Sequence, residues 1–472
     1  MLTLWNTASR SQELFKPINP PHVGMYTCGV TVYWDAHIGN MRTYVFEDVL
    51  LRTLELEGYE VKRVMNVTDI GELNDAGEDK MLLGAKREGK RVEEIAQMYT
   101  DRFLRDSAHL NIRIPETPFL CKATDHIQEQ IELIQTLEQK GFTYVTSDGV
   151  YFDTAKFPSY GSFSGQKLSD KEAGARVAVN DEKRNPTDFA LWKFAPADSE
   201  RQLWPSPWGD GFPGWHIECS AMAKKYLGQP FDIHCGGIDH IPVHHENEIA
   251  QSEAAYGVRL ANYWLHGEFL LVDGQKMSKS LGNVYTLSDI ETKGFDPLAL
   301  RFLYLGANYR QKQNFTWEAI QGAQNALNKL RTTVREWQPG SLDQPASPHL
   351  TLPSPSLGEG SEVFVAEFKT ALENDLNTPV ALSIMWKLVD SDAPVSVKAA
   401  TLRWMDRVLG LSLDQYIGKR EEVPSEVAHL VTERDAARAA KNWSESDRLR
   451  DAIQALGWSV EDSATGTKVR KV

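Results

Sequence analysis

The chain has 472 residues, 42% of them apolar and 25% charged, with a formal net charge of −14. That length predicts roughly three domains and the composition allows a sizeable buried core. The acidic balance excludes a protein that coats nucleic acid non-specifically, while leaving room for a locally basic face toward an RNA.

No run of about 18 apolar residues occurs, so no membrane partner is expected. The opening Met1-Leu2-Thr3-Leu4-Trp5-Asn6 has neither a basic then apolar signal nor an Arg-rich one, and a cytoplasmic chain is expected. The four cysteines are Cys28, Cys121, Cys219 and Cys235. In a long cytosolic chain they point to metal binding or plain burial rather than to disulfides.

In chain order, residues 24–33 read as a buried strand running into a loop. Residues 40–56 read as a helix, apolar at Val45, Phe46, Val49, Leu50 and Leu54, with Gly58 as its stop. Tyr59 to Val67 reads as a second strand. This β–loop–α–β unit predicts an open parallel sheet, with His37-Ile38-Gly39-Asn40 in the strand-to-helix loop, where free N–H groups and the helix dipole attract phosphate. Residues 86–140 read as helical, and 150–200, rich in Gly, Pro and Asp, as an inserted subdomain. The parallel-sheet pattern returns at about Gly214, with strands at Phe231–His234 and Gly267–Val272.

Asp273-Gly274 then turns the chain into Lys276-Met277-Ser278-Lys279-Ser280, two ammonium groups three positions apart among small hydroxyl side chains. That pattern suits a polyanion. After Asp296-Pro297 come helical patterns up to Trp337, a linker rich in Pro, Ser and Gly, a small helical bundle over 363–411, a helical hairpin over 424–456 and a polar tail.

Five of the twelve histidines and two of the four cysteines lie between His216 and His245. On a helix, His244 and Glu248 share one face, one turn apart, where an imidazole nitrogen and a carboxylate oxygen fit a single zinc ion. Cys219 supplies a third ligand and Cys28 a fourth. His245, His234 and His240 are alternatives to His244 on spacing alone, and a polar helix start beside two ordinary core cysteines is the bland reading. Cys235 and Cys121 read as buried small hydrophobes.

These residues resemble the cysteinyl-tRNA synthetases, a family of class I aminoacyl-tRNA synthetases. The resemblance runs through Cys28 to Tyr33, Ala36 to Asn40, Asn66-Val67-Thr68-Asp69, Gly214 to Met222, His244 to Gln251, Lys276 to Asn283 and Asp375-Leu376-Asn377-Thr378-Pro379. It implies a Rossmann-type α/β catalytic domain with an inserted connective subdomain, followed by an all-α C-terminal region on the anticodon side. The implied order is a first catalytic half over 1–118, the insertion over 119–205, a second catalytic half over 206–290 and a stem-contact region over 291–337. A linker over 338–362, a tRNA-binding bundle over 363–418 and a hairpin and tail over 419–472 complete it.

The resemblance implies one zinc on Cys28, Cys219, His244 and Glu248. It implies ATP, accompanied by Mg²⁺, against Thr31, His37, Gly39, Asn40, Lys276 and Lys279. His37, Asn40, Lys276 and Lys279 carry the implied catalytic roles. L-Cysteine is expected near Gly29, Thr68, Trp215 and Asp239, with tRNA(Cys) as the acceptor and a monomer as the working form. Two departures stand out: Asn40 replaces a second histidine, and 71–78 is longer than the short acidic turn expected there. Two other readings fit parts of the chain, a ligase joining cysteine to an amino sugar and a non-catalytic zinc-stabilised nucleic-acid-binding protein. The region beyond the linker disfavours the first, and two phosphate-binding loops disfavour the second.

Overall fold

Strands buried on both faces are near-continuous apolar runs, and helices must cover them. The computed structural model describes residues 1–71, 79–165, 181–195, 200–278, 281–338, 360–419, 423–463 and 466–471. Its central sheet has five parallel strands: β1 (His22–Thr31), β2 (Glu60–Thr68), β3 (Leu120–Lys122), β4 (Phe231–Gly237) and β5 (Ala261–Gly267). Their order is β5-β4-β1-β2-β3. The winding therefore reverses between β1 and β4, which opens a crevice at the carboxyl ends of those strands.

Helix α1 (Ile38–Leu56) links β1 to β2. Val45, Phe46, Val49, Leu50 and Leu54 are buried along it, as their spacing requires. His37 caps its start, and Gly58 follows with φ +88°. The β1–β2 register shifts between Thr27 and Val30, so Cys28 and Gly29 lie at an irregularity within the strand.

The long connection from β3 to β4 carries an antiparallel sheet of Thr143–Thr146, Gly149–Phe152, Phe189–Phe194 and Gly211–Pro213. Gly214 therefore does not restart the parallel sheet. It precedes α2 (Trp215–Leu227), and β4 is the first returning strand.

The Gly267–Val272 strand also needs correction. The fifth strand ends at Gly267, and Leu270–Val272 joins a separate three-stranded sheet with Gln275–Lys276 and Gln313–Phe315. The cause is a competing donor: the Arg42 guanidinium takes the carbonyls of Glu268 and Phe269, and Glu268 N–H goes to the Tyr309 carbonyl. With those groups committed, the chain leaves the first sheet.

Two compact units divide the chain. The first comprises Met1–Asn328 with Leu342–Ser412, and the second Lys329–Ser341 with Leu413–Val472. Helices Glu362–Glu373, Thr378–Val389 and Val395–Leu409 belong to the first. In the second, helices Ser425–Ala439 and Trp443–Ala455 are followed by a β-hairpin of Trp458–Ser463 and Gly466–Lys471. An all-α end with a polar tail is thus corrected. Trp458 is buried with Val427 and Ile453, Val460 and Val469 pack against that cluster, and Arg434 binds Asp462 through both terminal nitrogens. Among the described residues no helix is long and apolar enough to cross a membrane.

Candidate active site

At the crevice between β1 and β4, one ligand atom each from Cys28, Cys219, His244 and Glu248 lies within 4.8 Å of the others, and all four residues are buried. Cys28 comes from the β1 irregularity and Cys219 from α2. His244 comes from a π-type turn over Ile241–His245, and Glu248 from α3 (Glu246–Tyr256) that continues it. Such turns recur at functional sites because the widened backbone re-aims side chains.

A second group, Cys28, His234, His245 and Glu248, is equally close. The two differ in their imidazoles and in the second thiol. His234 Nε2 is 2.9 Å from Glu248 Oε2; an ionised carboxylate only accepts, so that nitrogen donates and the lone pair of the ring lies on Nδ1. His244 Nε2 is 2.8 Å from Glu248 Oε1, and His244 Nδ1 meets His216 Nδ1 at 3.1 Å. Of the two groups, the first brings in the second thiol, Cys219.

The electrostatics agree with a cation at this place. Burial disfavours an ionised Glu248, but His234 and His244 outweigh it and hold its carboxyl well below the usual range. Burial likewise opposes the Cys219 thiolate, but a hydrogen bond with Cys28 and the nearby His244 bring it down to about 6. Cys28 goes the other way, pushed up by burial and by Cys219 beside it. The cage is short of positive charge, and two sulfurs, one nitrogen and one oxygen in a dry pocket fit a borderline-soft ion such as zinc.

The two phosphate-type loops meet at the start of α1. His37 N–H donates to Asn40 Oδ1 and Asn40 N–H to His37 Nδ1, both at 3.1 Å. Asn40 thereby completes a capping box at the start of α1. Ile38 N–H donates to the Tyr285 carbonyl, 2.9 Å away. A Cβ on Gly39 would strike Met277 Cε, so Met277 packs directly on this glycine. Lys276 Nζ lies over the Phe269 ring, 5.0 Å from its centroid. Lys279 and Ser280 lie outside the described residues, as do residues 72–78.

Residues 14–325 match the family model for the class I (C) catalytic domain of tRNA synthetases, and 420–470 match the cysteinyl-tRNA ligase anticodon binding domain. The chain is 50% identical to cysteine–tRNA ligase 1 of Burkholderia lata, covering 99% of this chain and 96% of the relative. It is 44% identical to cysteine–tRNA ligase of Treponema denticola, over the full length of both. The chain belongs to the cysteine–tRNA ligase family. A solved methionyl-tRNA synthetase of Mycobacterium tuberculosis, in complex with methionyl-adenylate, shares the fold at a TM-score of 0.56 and 16% identity, covering 84% of this chain and 91% of that one.

Of the residues expected to contact cysteine in this ligase, Trp215 lies against a cage residue. The Trp215 ring lies 4.3 Å from that of His244. Thr31 pairs with Thr68 at the end of β1 and β2. Asp239 is exposed beside Gly237, on the turn after β4. A Cβ on Gly29 would run into the Asn66 carbonyl, so only glycine fits there. Cys121 and Cys235 are buried in apolar clusters.

Sequence reasoning missed Glu218, buried and accepting a hydrogen bond from the Thr68 hydroxyl at 3.0 Å. It also missed His266, whose Nε2 is 2.7 Å from His245 Nδ1. A carboxylate directly before Cys219, inside an otherwise buried helix turn, was the available signal for Glu218. His266 offered none, because it lies on β5 and reaches the cluster only across the sheet.

Proposed function

We infer that this crevice carries out the two steps of a cysteine–tRNA ligase: L-cysteine is joined to ATP as cysteinyl-adenylate, and the cysteinyl group then passes to the 3′ end of tRNA(Cys). In the first step the cysteine carboxylate attacks the α-phosphorus. A carboxylate oxygen–phosphorus bond forms and the bond to the β-phosphate oxygen breaks, releasing pyrophosphate. No enzyme nucleophile is required, so the chain's work is in-line positioning and stabilisation of charge on the phosphoryl oxygens.

The N-terminus of α1, with His37 and Asn40, supplies donors to that charge. Lys276 and Lys279 supply positive charge, and Mg²⁺ accompanies the nucleotide. Gly39 lets the loops approach, and Thr31 lines the nucleotide side. Trp215, Gly29, Thr68 and Asp239 enclose the amino acid, with Asp239 toward its ammonium. Cys28, Cys219, His244 and Glu248 would hold one zinc, which when bound supplies a centre that prefers thiolate sulfur to a hydroxyl. Recognition of cysteine against serine follows from that preference, because shape alone separates the two poorly.

One observation carries this reading: two thiols, one imidazole and one carboxylate form a buried donor set, with Cys28 on the same strand that leads into α1, where Met277 packs on Gly39. The anticodon-type match over 420–470 favours tRNA over an amino sugar as acceptor. ATP–pyrophosphate exchange tests it. Exchange that needs cysteine, ignores serine and precedes charging of tRNA(Cys) is expected. No cysteine-dependent exchange, or equal exchange with serine, would sink it.

A further inference from the structure

The Thr68 hydroxyl sits in a hydrogen-bond chain whose direction is fixed at both ends. Gly29 N–H lies 2.8 Å from Asn66 Oδ1. A backbone amide only donates, so the Asn66 side chain must turn its oxygen toward Gly29 and its amide group away. Asn66 Nδ2 then donates to Thr68 Oγ1 at 3.1 Å. Thr68 Oγ1 in turn donates to Glu218 Oε2 at 3.0 Å. Asn66, Thr68 and Glu218 are all buried, where hydrogen-bond directions are costly to violate.

A hydroxyl has one proton and two lone pairs. Here the proton is committed to Glu218, and one lone pair is committed to Asn66. What Thr68 has left is a single lone pair, able to accept and unable to donate. A substrate group meeting it must be a donor. Of the three polar groups of cysteine, the carboxylate and a deprotonated thiol only accept, and the ammonium only donates.

Thr68 ends β2 beside Thr31 at the crevice, and Glu218 lies next to Cys219 and one turn from Trp215 on α2. We propose that Glu218 is a positioning residue that turns the Thr68 hydroxyl into a fixed acceptor for the ammonium of the incoming amino acid. This rests on the reading of the crevice as the cysteine site. It adds a buried acceptor to the exposed Asp239.

The test compares a ligand that has the ammonium with one that lacks it. In Glu218→Gln, the KM for L-cysteine in pyrophosphate exchange should rise on the order of tenfold, since one hydrogen bond to a charged group is at stake. The KM for ATP and the zinc content should be unchanged. The inhibition constant of 3-mercaptopropionate, which keeps the thiol and carboxylate and lacks the amine, should also be unchanged. Thr68→Val should give the same split and serves if the Gln variant does not fold. An unchanged cysteine KM, or parallel losses for both ligands, overturns the role of Glu218. If 3-mercaptopropionate fails to compete with cysteine even in the unaltered ligase, the thiol-binding reading of the crevice falls, and this inference with it.

Discussion

Cys219 tests the cage most sharply at the scale of one residue, because serine keeps its size and removes its softness. Cys219→Ser should lower bound zinc and raise the cysteine KM strongly, with the ATP KM close to that of the parent. Metal analysis beside exchange kinetics checks this, and a variant with full zinc and unchanged cysteine affinity would reject Cys219 as a ligand. Lys279→Ala should act on adenylate formation rather than on the metal. Removing a donor to developing oxyanion charge typically costs about 3–4 kcal/mol, so adenylate formation should slow by roughly 10²–10³-fold while cysteine binding is spared. A mutant that alters only the cysteine KM would contradict that role. Local spacing made the His244 and Glu248 pair legible, since one helix turn is a fixed distance. It was blind to which imidazole offers a lone pair. His234, His240 and His245 crowd the same pocket, and spacing carries nothing about what each ring nitrogen meets, such as Glu248 Oε2 at His234.

Among the elements, α1 carries two adjacent buried acids with opposite fates. Burial works against Asp48, but Arg52 and Arg301 outweigh it, with a backbone donor from Arg113, and its pKa is lowered to about 2. Burial raises Glu47 to about 8, because the single guanidinium of Arg63 does not offset it. The signs follow. A depressed Asp48 contributes stability that is present above its ordinary value of 3.8 and is lost as pH falls toward about 2. Glu47 contributes stability present at and below 4.5 and lost as pH rises through about 8. Arg301 is fully buried and also binds the carbonyls of Leu409, Leu110 and Asn111, so Asp48→Asn strands a guanidinium that ties α1 to two other segments. That loss should be about 3–5 kcal/mol. Glu47→Gln should cost far less at pH 7. Thermal unfolding of both variants checks the contrast, and equal drops in Tm would contradict it. The helix itself was legible from its apolar spacing. Its charged anchor was not, because Arg301 meets Asp48 only after the chain has passed through the whole sheet.

For the molecule as a whole, the net charge of −14 sets an acidic enzyme against a polyanionic substrate. Binding of tRNA must then use local basic surface and be sensitive to salt. The KM for tRNA should rise at least about tenfold between roughly 50 and 200 mM salt, with pyrophosphate exchange changing far less. Equal salt dependence of the two reactions would argue against a separate electrostatic tRNA contact. Three strands of the parallel sheet were legible as short apolar runs between helical patterns, whereas Leu120–Lys122 fell in a stretch read as helical and Ala261–Gly267 was not read as a strand. The antiparallel sheet of the insertion was not, because Gly211–Pro213 has too few residues to show alternation. The closing hairpin was hidden as well. Its strands look polar, and only the packing of Trp458, Val460 and Val469 against the helical pair makes them strands.

The central claim, that Cys28, Cys219, His244 and Glu248 hold an ion that takes the sulfur of the substrate, is tested most directly by cobalt substitution. Cobalt(II)-loaded protein should show sulfur-to-metal charge-transfer absorption that grows when L-cysteine is added and stays constant with L-serine. A spectrum indifferent to cysteine, or altered equally by serine, would contradict it.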